Sequence, residues 1–497
     1  MENLGITLQN YQDFGQGAGQ ASAAEVDMLL KAMSAGSITG RDTTGLTNAS
    51  GAPLKVESLE STLKILTNKE RDIVVWKNIP KLAATNTVEE YNQLLSYGLD
   101  GGAFNNEGEL PESADSVYRR QAQLVKFMGT TREVTHPMQL VNTMVGNMIQ
   151  RETINGTQWI LRQVEKALAF GNADNVPQEW NGLYKQHQDG AGYATVDLYQ
   201  DSEVVVDLRG KVLREKDIES AAYGINVNFG FADKLIAPPT VFSNFVKEFY
   251  AQKLISPNTD QVRAGEMGQK VTKVNTQFGQ IDLLDSKFWK ANAARLSAAA
   301  ATSTKAPAAP VADGSTPKAV SATDTLSRWT GFNGDYFYAV AARNRYGEST
   351  LVQLGSAVIT STITTSIDLL FTDGGGSYPA TSFVIYRSTK TPGTLIAATP
   401  LYPIFEITKA QLTAGFDGAA AGYVRDRNRS IANTEQALMA EWDSEILSFK
   451  QLAPLMKMDL AVLSPSTRFM VLLYGTPVVY APRKMVRIIN IGTDFTV

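Results

Sequence analysis

Apolar residues recur at helical spacing between residues 137 and 170, and this stretch predicts one long helix. Pro137 stands where a first helical residue belongs, and Gly171 stands where a helix ends. At 1.5 Å per residue an unbroken helix would be about 50 Å long, which indicates a strut. Gly156 is the expected point of any kink, because glycine inside a helix costs about 1 kcal/mol relative to alanine. The apolar positions are Val141, Met144, Val145, Met148, Ile149, Ile160, Leu161, Val164, Ala167 and Leu168.

Strand character dominates the sequence before this helix. Residues 88–97 and 117–134 predict two long strands, joined by a polar loop over residues 100–116. The loop is long for a hairpin that closes on its own domain, and a two-stranded arm alone is only marginally stable in water. We therefore expect the arm to lie on a neighbouring molecule. Its tip is acidic, which is more typical of a solvated loop than of paired catalytic carboxylates; the acidic residues are Glu107, Glu109, Glu112 and Asp115.

The first 60 residues predict an N-terminal arm. Ser22 and Glu25 have the spacing of a capping box, which predicts a helix over residues 22–33, and a turn-rich stretch follows over residues 36–53. A segment that buries so little of itself either packs on another molecule or is a disordered tail. The sequence leaves both alternatives open.

Residues 172–301, beyond the long helix, mix short strands with helices. Strand-like pieces fall at residues 204–206, 271–274 and 281–284, and helical stretches fall at residues 217–223 and 239–254. Asp217 and Glu219 place negative charge near the start of the first of these helices, where the helix dipole favours it. The mixture predicts an α+β domain without βαβ repetition.

The composition changes sharply near residue 300. Residues 297–320 are rich in Ala, Pro and Thr and predict a linker between domains. The residues that follow, to about 425, are rich in β-branched and aromatic side chains and predict an all-β module. The composition reverts at Asp426, and residues 434–449 carry a helical pattern. We therefore expect a module inserted into a host domain whose two halves flank it.

Composition limits the chemistry of the chain. Its 497 residues include 46 Lys and Arg against 50 Asp and Glu, and the net charge of −4 does not favour binding to nucleic acid through overall charge. No cysteine is present, so disulfides and thiolate sites are excluded. The N-terminus does not have the pattern of a secretory signal, and no run of 18 apolar residues predicts a membrane span. We expect a soluble protein made inside a cell.

The sequence contains no enzyme motif. His136 precedes the long helix, and His187 is expected in a polar loop, KQHQDG. Neither has a second ligand at metal-binding spacing. The glycine-rich runs GQGAGQ and GEMGQK fail the dinucleotide and P-loop patterns, and GxSxG is absent. We therefore predict no catalytic residue, no cofactor and no metal.

The β module carries a distinctive hairpin sequence. Within residues 334–350, GDYFYAVAARNRYGEST, alternation places Tyr336, Tyr338, Val340 and Ala342 on one face. This run resembles the F-to-G hairpin of fibronectin type III and related immunoglobulin-like domains. Residues 382–389, SFVIYRST, resemble the C strand of the same family, although here the hairpin precedes that strand. The resemblance implies a two-sheet sandwich with those four residues in its core.

The C-terminal run LLYGTPVVYAPRKMVRIINIG, residues 472–492, resembles the closing segment of major capsid proteins of tailed bacteriophages. The matching parts are residues 473–476, 478–482 and 485–491, and the order of the preceding parts agrees as well. The resemblance implies an α+β, HK97-like capsid fold. Its parts would be an N-terminal arm (1–60), an extended two-stranded loop with the start of the peripheral domain (61–136), a spine helix (137–171), an axial domain (172–301), an inserted immunoglobulin-like β-sandwich (302–425) and a return to the axial and peripheral domains (426–497).

The same resemblance implies a function. The chain would be a major capsid protein that assembles as pentamers and hexamers into an icosahedral shell around double-stranded DNA. It would be made in the bacterial cytoplasm and located in the virion. Its partners would be other copies of itself and also scaffold, portal and decoration proteins, with weak contact to DNA and no membrane. Two alternatives are an encapsulin-like shell, which shares the fold, and an adhesin that binds glycans through the β module.

Assembly contacts are predicted in the hairpin loop and in the basic C-terminal strand. Three arginines where the module ends, at positions 425, 427 and 429, either hold a neighbouring chain's carboxylates or form a solvated hinge. The predicted contact residues are Asp100, Phe104, Glu109, Pro111, Arg119, Arg120, Arg483, Lys484 and Arg487.

Overall fold

The computed structural model describes residues 67–98, 101, 104–110, 113–141, 146–191, 201, 203–252, 271–314, 317–319, 324–359, 366–390, 399–462 and 464–493. Apart from Gly146, these residues belong to one compact unit. The predicted N-terminal arm at 1–60, with its helix at 22–33, lies outside the described residues.

The described helices are mostly short. They are α1 Val75–Asn78, α2 His136–Leu140, α3 Met148–Phe170, α4 Leu183–Ala191, α5 Glu215–Val227, α6 Pro239–Gln252 and α7 Lys409–Ala414.

Strands account for most of the remaining regular structure. They are β1 Lys81–Ala83, β2 Val88–Ser96, β3 Val117–Leu124, β4 Lys126–Thr135, β5 Val205–Asp207, β6 Lys234–Ala237, β7 Lys273–Thr276, β8 Gly279–Asp285, β9 Arg295–Leu296, β10 Val311–Ala312, β11 Lys318–Ala319, β12 Gly334–Asn344, β13 Gly347–Glu348, β14 Val352–Ile359, β15 Ile367–Thr372, β16 Ser382–Arg387, β17 Pro400–Thr408, β18 Tyr423–Asp426, β19 Thr434–Ala440, β20 Leu447–Asp459, β21 Ser466–Val479 and β22 Met485–Gly492.

The longest helix, α3, lies against a four-stranded sheet in the order β1-β20-β21-β4, here called the spine sheet. Ile160, Val164 and Leu168 of the helix are buried in one cluster with Phe449 and Phe469 of the sheet. Each such side chain contributes roughly 1.5–3 kcal/mol on burial, so this contact stabilises both layers.

The predicted helix over residues 137–171 is shorter in the structure, and its break is not at Gly156. Helix α2 ends at Leu140, and α3 begins only at Met148, after Asn147 in an extended conformation. The Asn147 side chain accepts hydrogen bonds from the amides of Ile149 and Gln150, which caps the new helix start. The prediction of one continuous spine was therefore wrong at its N-terminal end. The apolar residues keep their helical spacing through this region, although the helix ends at Leu140 and a new helix begins after Asn147.

Gly156 lies inside the unbroken helix α3 and is buried. A Cβ atom there would approach Val471 Cγ2 of the spine sheet to 3.2 Å. Glycine at this position therefore lets the helix approach the sheet closely, and the packing gained outweighs the helix propensity lost.

A six-stranded sheet in the order β5-β22-β19-β6-β8-β7, here called the central sheet, forms the second layer. Helix α5 packs on it through Ile218, Ala222 and Ile225. The helix predicted over residues 434–449 was wrong, since this segment forms β19 and the start of β20. Strand β19 lies between β22 and β6, and residues 437–440 are buried on both faces of the sheet. Its sequence is therefore a continuous apolar run and lacks the alternation of apolar and polar residues that predicts a strand.

The two strands predicted before the long helix are divided differently. Strands β2 and β3 pair antiparallel over their whole length, as predicted for a hairpin. The second predicted strand, residues 117–134, breaks at Val125, because β4 leaves the hairpin and pairs with β21 of the spine sheet. The hairpin is therefore joined directly to the spine sheet through Val125.

The all-β segment forms two sheets, in the orders β13-β12-β16-β17-β9 with β14 beside β12, and β10-β15-β11 with β18 beside β15. One cluster joins the two sheets and contains Tyr336, Tyr338, Val340 and Ala342 of β12. The other face of β12 is buried as well, through Phe337, Ala339 and Ala341. The described part of residues 297–320 is not a free linker, because β10 and β11 pair with β15 and small side chains allow the chain to lie along the module.

Candidate functional site: an exposed hairpin held at its root

The lower half of the β2–β3 hairpin is fixed to the spine sheet. The Tyr91 hydroxyl donates to the carbonyl oxygen of Val479 at 3.2 Å, and its ring meets the ring of Tyr480 edge-on at 5.0 Å. Lys450 of β20 pairs with Glu89 at 2.7 Å. These contacts set the direction in which the hairpin leaves the subunit.

The upper half of the hairpin and its loop expose apolar side chains. Tyr97 is 87% exposed, Phe104 is fully exposed and Leu110 is 93% exposed. Exposed apolar groups also occur on both strands of this half: Leu94, Leu95, Val117 and Tyr118. Several large apolar side chains exposed on one hairpin favour an interaction site, because leaving them in water has a free energy cost of about 25 cal/mol per Å².

Helix α1, which precedes β1 and the hairpin, is held by a carboxylate that sequence analysis missed. Glu165 on α3 is fully buried, and its Oε1 atom accepts hydrogen bonds from the amides of Val74 and Val75 at 3.0 and 2.8 Å. Its Oε2 atom accepts from the amide of Trp76 at 3.0 Å, and the Ser286 hydroxyl donates to Oε1 at 3.2 Å. The amides at the start of α1 are thereby satisfied inside the core. The available signal was a lone charge among the apolar positions of the helix.

The hairpin tip places its described acidic residues in solvent. Glu107, Glu109 and Asp115 are exposed, and the Glu109 carboxylate accepts from the Asn106 side chain at 2.9 Å. Asp100, Pro111 and Glu112 lie outside the described residues. Phe104 and Glu109 are therefore brought together at one loop, and their contacts with another subunit remain predictions.

The basic residues of β3 and of the C-terminal strand have different surroundings. Arg119 and Arg120 are exposed, and Arg120 pairs with Glu90 across the hairpin. Arg483 binds Asp201 at 3.0 Å, and Lys484 is half-buried. Arg487 is only 8% exposed, so its guanidinium has little surface left for another subunit. The assembly role of these five residues also remains a prediction.

Two buried titratable groups, His187 of α4 and Glu435 of the central sheet, have shifted pKa values. His187 is in α4 and fully buried, not in a polar loop as its sequence suggested, and its Nε2 atom donates to the Met485 carbonyl at 2.9 Å. Burial, aided by the Arg487 charge, lowers the pKa of His187 to about 3. Glu435 on β19 accepts from the amide of Ala291 at 2.8 Å, and burial raises the pKa of Glu435 to about 7. Both groups are neutral in the folded chain at mildly acidic pH.

Glu435→Gln is expected to change the pH dependence of stability. The folded chain keeps the Glu435 proton up to about pH 7, whereas the ordinary pKa of the group is 4.5. The unfolded state binds fewer protons between these values, so stability falls as pH rises through this window, by at most about 3 kcal/mol. The variant should lose this slope and be more stable than the unmodified chain above about pH 7. Urea unfolding between pH 4.5 and pH 7 measures the free energy of unfolding of both chains, and Glu445→Gln, at an exposed position, is the control. A difference between Glu435→Gln and the unmodified chain that does not change with pH would contradict the raised pKa of Glu435.

A buried network joins the all-β segment to the central sheet. Arg387 and Asp426, 1% and 2% exposed, form an ion pair at 2.6 Å, and the Tyr338 hydroxyl donates to the same Asp426 oxygen at 2.8 Å. On the other side Arg328 pairs with Asp207 at 2.7 Å. Arg209 donates to the backbone carbonyl oxygen of Asn428 at 2.9 Å. The segment is therefore bound to the central sheet by ion pairs and hydrogen bonds, although the Nε atom of Arg387 is buried without a partner among the described residues.

The arginines at the end of the module bind carboxylates of their own chain. Arg425 binds Asp368 through two hydrogen bonds at 2.8 and 2.9 Å. Arg427 binds Asp324 at 2.7 Å and Asp417 at 2.5 Å, and Arg429 lies 3.4 Å from Asp417. The alternative of a solvated hinge was wrong, because β18 pairs with β15 and brings these carboxylates within reach.

Among the residues that the structure describes, no three of His, Cys, Asp and Glu lie together in a metal-binding arrangement. Of the described helices, none is long and apolar enough to cross a membrane.

Comparison with known proteins identifies the class. The major capsid protein of Staphylococcus phage S25-3 is 24% identical over 462 residues, covering 91% of this chain and 93% of that protein. The putative major capsid protein of Enterococcus phage phiEF24C is 23% identical, covering 92% and 94%. Among solved structures, the capsid of a native GTA particle covers 90% of this chain and 99% of its own, with a TM-score of 0.46 and 6% identity. The holo-SrpI encapsulin complex of Synechococcus elongatus PCC 7942 covers 93% and 99%, with a TM-score of 0.37 and 10% identity.

The chain is therefore a structural protein of the class of phage major capsid proteins, and the relatives favour this class over an encapsulin-like shell or an adhesin. The model of the SU10 major capsid protein family matches residues 37–302, more than half of the sequence. The chain belongs to this family. Capsid proteins assemble with copies of themselves into the shell of the virion, so the exposed hairpin has an expected partner.

Proposed function

We propose that this chain builds the icosahedral shell that encloses phage double-stranded DNA, as pentamers and hexamers joined through the β2–β3 hairpin. The exposure of Tyr97, Phe104 and Leu110 on an arm whose lower half is fixed to the spine sheet carries this proposal. An arm that reaches a neighbour adds contact area without a large globular interface, and heterologous contacts of this kind close into rings.

The parts of an HK97-like subunit can be assigned within this proposal. We assign residues 1–60 to the arm, residues 61–136 to the extended loop and the start of the peripheral domain, and α3 to the spine. Residues 172–301 and 426–497 form the axial domain and the return to the peripheral domain. The spine sheet under α3 and the separate central sheet support this division.

The all-β segment, residues 302–425, is proposed to be an immunoglobulin-like accessory domain on the outer face of the shell. Its two sheets share one core that contains Tyr338 and Val340, and the family match ends at residue 302. Strand β9, at residues 295–296, already pairs with β17, so the structural boundary lies a few residues earlier. The basic contact predictions, Arg119, Arg120, Arg483, Lys484 and Arg487, belong to this proposal as secondary contacts.

The remaining partners follow from the same role. Scaffold, portal and decoration proteins would meet the shell during assembly in the bacterial cytoplasm. Contact with DNA would be weak and non-specific, because a net charge of −4 limits the number of phosphate contacts.

Assembly of hairpin variants tests the proposal. The unmodified chain, expressed with its neighbouring genes, should form closed shells, tubes or hexamer sheets in electron micrographs. Replacing Tyr97, Phe104 and Leu110 together with serine should leave folded, soluble subunits and reduce assembled material by at least about tenfold, because the apolar contact is lost. The matched control replaces Val311 and Val358, which are 58% and 59% exposed on the all-β segment, with serine and should assemble normally. Normal assembly of the hairpin variant would overturn the proposed role.

A further inference from the structure

A cleft of about 360 Å³ lies where the all-β segment meets the rest of the subunit. Its walls come from the end of α3 and from α4, from β17 and α7 of the all-β segment, and from β19 and β22 of the central sheet. Binding sites for small molecules favour such junctions and have volumes of roughly 300–1,000 Å³. We call it the junction cleft, and its lining includes Phe170, Gln188, Phe405, Phe416 and Arg487.

Most charges on the walls of the junction cleft are paired within the chain. Lys185, Arg343 and Arg429 form ion pairs with carboxylates at 2.8, 2.9 and 3.4 Å. The two carboxylates of the lining, Asp174 and Glu406, take part in the first two of these pairs. The walls therefore present no unpaired carboxylate that would repel an anion.

Arg487 is the exception among the cations of the lining. It is 8% exposed, its Nη2 atom donates to the Gln436 side chain at 2.9 Å, and its Nε atom is buried without a hydrogen-bond partner among the described residues. The guanidinium lies 4.9 Å from the centre of the Tyr184 ring, and this cation–π contact holds it in place. A buried charge is unfavourable unless an opposite charge lies beside it. An anion in the junction cleft would provide that charge.

Aromatic rings line the cleft on both sides of the junction. Phe405 and Phe416 of the all-β segment are stacked, with ring centres 5.4 Å apart and planes at 21°. On the other side, the ring of Phe170 lies 5.3 Å from the ring of Tyr184, over which Arg487 lies. Planar rings stack favourably on aromatic side chains whatever their further substituents. The junction cleft therefore offers aromatic surface close to a cation that lacks an ion-pair partner.

We propose that the junction cleft binds a small organic anion in which a planar ring carries a phosphate or carboxylate group. The anionic group binds the guanidinium of Arg487, and the ring packs on the phenylalanines of the lining. Arginine binds phosphate and carboxylate groups through the same planar set of N–H donors, so nucleotides and aromatic acids share the required chemistry. This site goes beyond the proposed shell function and does not rest on it.

The recessed position of Arg487 selects a small ligand over a macromolecule. A DNA duplex or a folded partner binds cations that project from a surface, whereas Arg487 is almost completely buried. A molecule that enters a space of about 360 Å³ can approach the guanidinium without any change in the fold.

Calorimetric titration of the soluble full-length chain with four probes tests the proposal. Deoxyadenosine 5′-monophosphate combines a ring with a phosphate, and 4-hydroxybenzoate combines a ring with a carboxylate. Deoxyadenosine has the ring without the charge, and inorganic phosphate has the charge without the ring. At least one of the two complete probes should bind with a Kd of about 0.1 mM or lower, and each incomplete probe should bind at least about tenfold more weakly.

The pattern of binding decides between the sources of the ligand. Binding of the nucleotide identifies an organic phosphate, and binding of 4-hydroxybenzoate alone identifies an aromatic acid. Inorganic phosphate that binds as tightly as the nucleotide would overturn the proposal, because the ring would then contribute nothing. Failure of both complete probes to bind the folded chain would overturn it as well.

Two variants locate the bound probe. Gln188 is exposed on α4 and lines the cleft, so Gln188→Glu adds a carboxylate that should weaken binding by at least about fivefold without disturbing the core. Gln353→Glu places the same charge at an exposed position of β14 outside the lining and should leave the affinity unchanged. Arg487→Lys keeps the charge but loses the planar guanidinium, and should weaken binding by at least about tenfold.

Circular dichroism shows whether the Arg487→Lys chain is folded, and the exposed Gln188→Glu change decides the location if it is not. Unchanged affinity in the folded variants at both positions would place the probe elsewhere and overturn the proposed site.

Discussion

Glu165→Ala is expected to lower the free energy of unfolding of the subunit by about 3–5 kcal/mol, because it leaves several hydrogen-bond donors in the core without an acceptor. The Glu165 carboxylate accepts hydrogen bonds from the amides of Val74, Val75 and Trp76 and from the Ser286 hydroxyl. Alanine would leave these four donors buried without an acceptor, and each unmet group is unfavourable by about 1–3 kcal/mol before the site relaxes. Urea unfolding of unassembled subunits, followed by circular dichroism, measures the loss.

Two matched variants sharpen this prediction. Glu165→Gln keeps the volume and one acceptor oxygen, so it should lose about half as much stability as the alanine variant. Gln163→Ala, two positions away and half-buried, should change stability by less than about 0.5 kcal/mol. Equal stability of the alanine variants at positions 165 and 163 would show that the hydrogen bonds accepted by Glu165 do not stabilise the fold. Because α1 leads through β1 into the hairpin, the Glu165→Ala subunit should also yield fewer shells.

Arg387→Met is the second change with a large expected effect, again about 3–5 kcal/mol. It leaves the Asp426 carboxylate buried without its guanidinium partner, which lies at 2.6 Å in the native chain. It also removes the hydrogen bonds from Arg387 to Asn428 and Ser430, at 2.7 and 3.0 Å. Tryptophan fluorescence during denaturant unfolding measures the loss of stability, and Trp329, whose ring lies 4.7 Å from the Arg387 guanidinium, contributes to that signal.

A double-mutant cycle isolates the pair. Asp426→Asn alone should be destabilising, since it leaves Arg387 uncompensated. The double variant should cost less than the sum of the two single changes by about 1–3 kcal/mol, the usual coupling of side chains in direct contact. Lys409→Met is the control, because the Lys409 side chain of the pair with Asp373 is 57% exposed and pairs that solvent reaches contribute little. Additive single changes would mean that the network does not act as a unit.

The elements predicted correctly from the sequence have strong local signals. The hairpin strands β2 and β3, the helices at residues 215–227 and 239–252 and the strands of the module lie near their predicted positions, because their periodicity and turn residues are local features. The errors occur where a tertiary contact overrides the pattern. Residues 434–449 form strands because β19 is the middle of a sheet buried on both faces. The helix over 137–171 restarts at Met148 because Asn147 caps it.

The candidate site divides along the same line. The acidic and apolar composition of the tip, including Phe104 and Glu109, is readable in the sequence, as is the need for a partner that covers an exposed arm. The hydrogen bonds of Glu165 and the ion pair of Arg387 with Asp426 cannot be read from the sequence, because the partners are far apart along the chain. The amides lie 89–91 residues from Glu165, and Asp426 lies 39 residues from Arg387.

By itself, the sequence determined the mixed α+β class and the resemblance of the closing segment to phage major capsid proteins, since these depend on periodicity, composition and local motifs. Only the tertiary structure decided which charges are buried and which arginines are occupied within the chain. The physical reason is that burial and pairing depend on the residues that folding brings near one another, and the spacing of residues along the chain does not encode those distances.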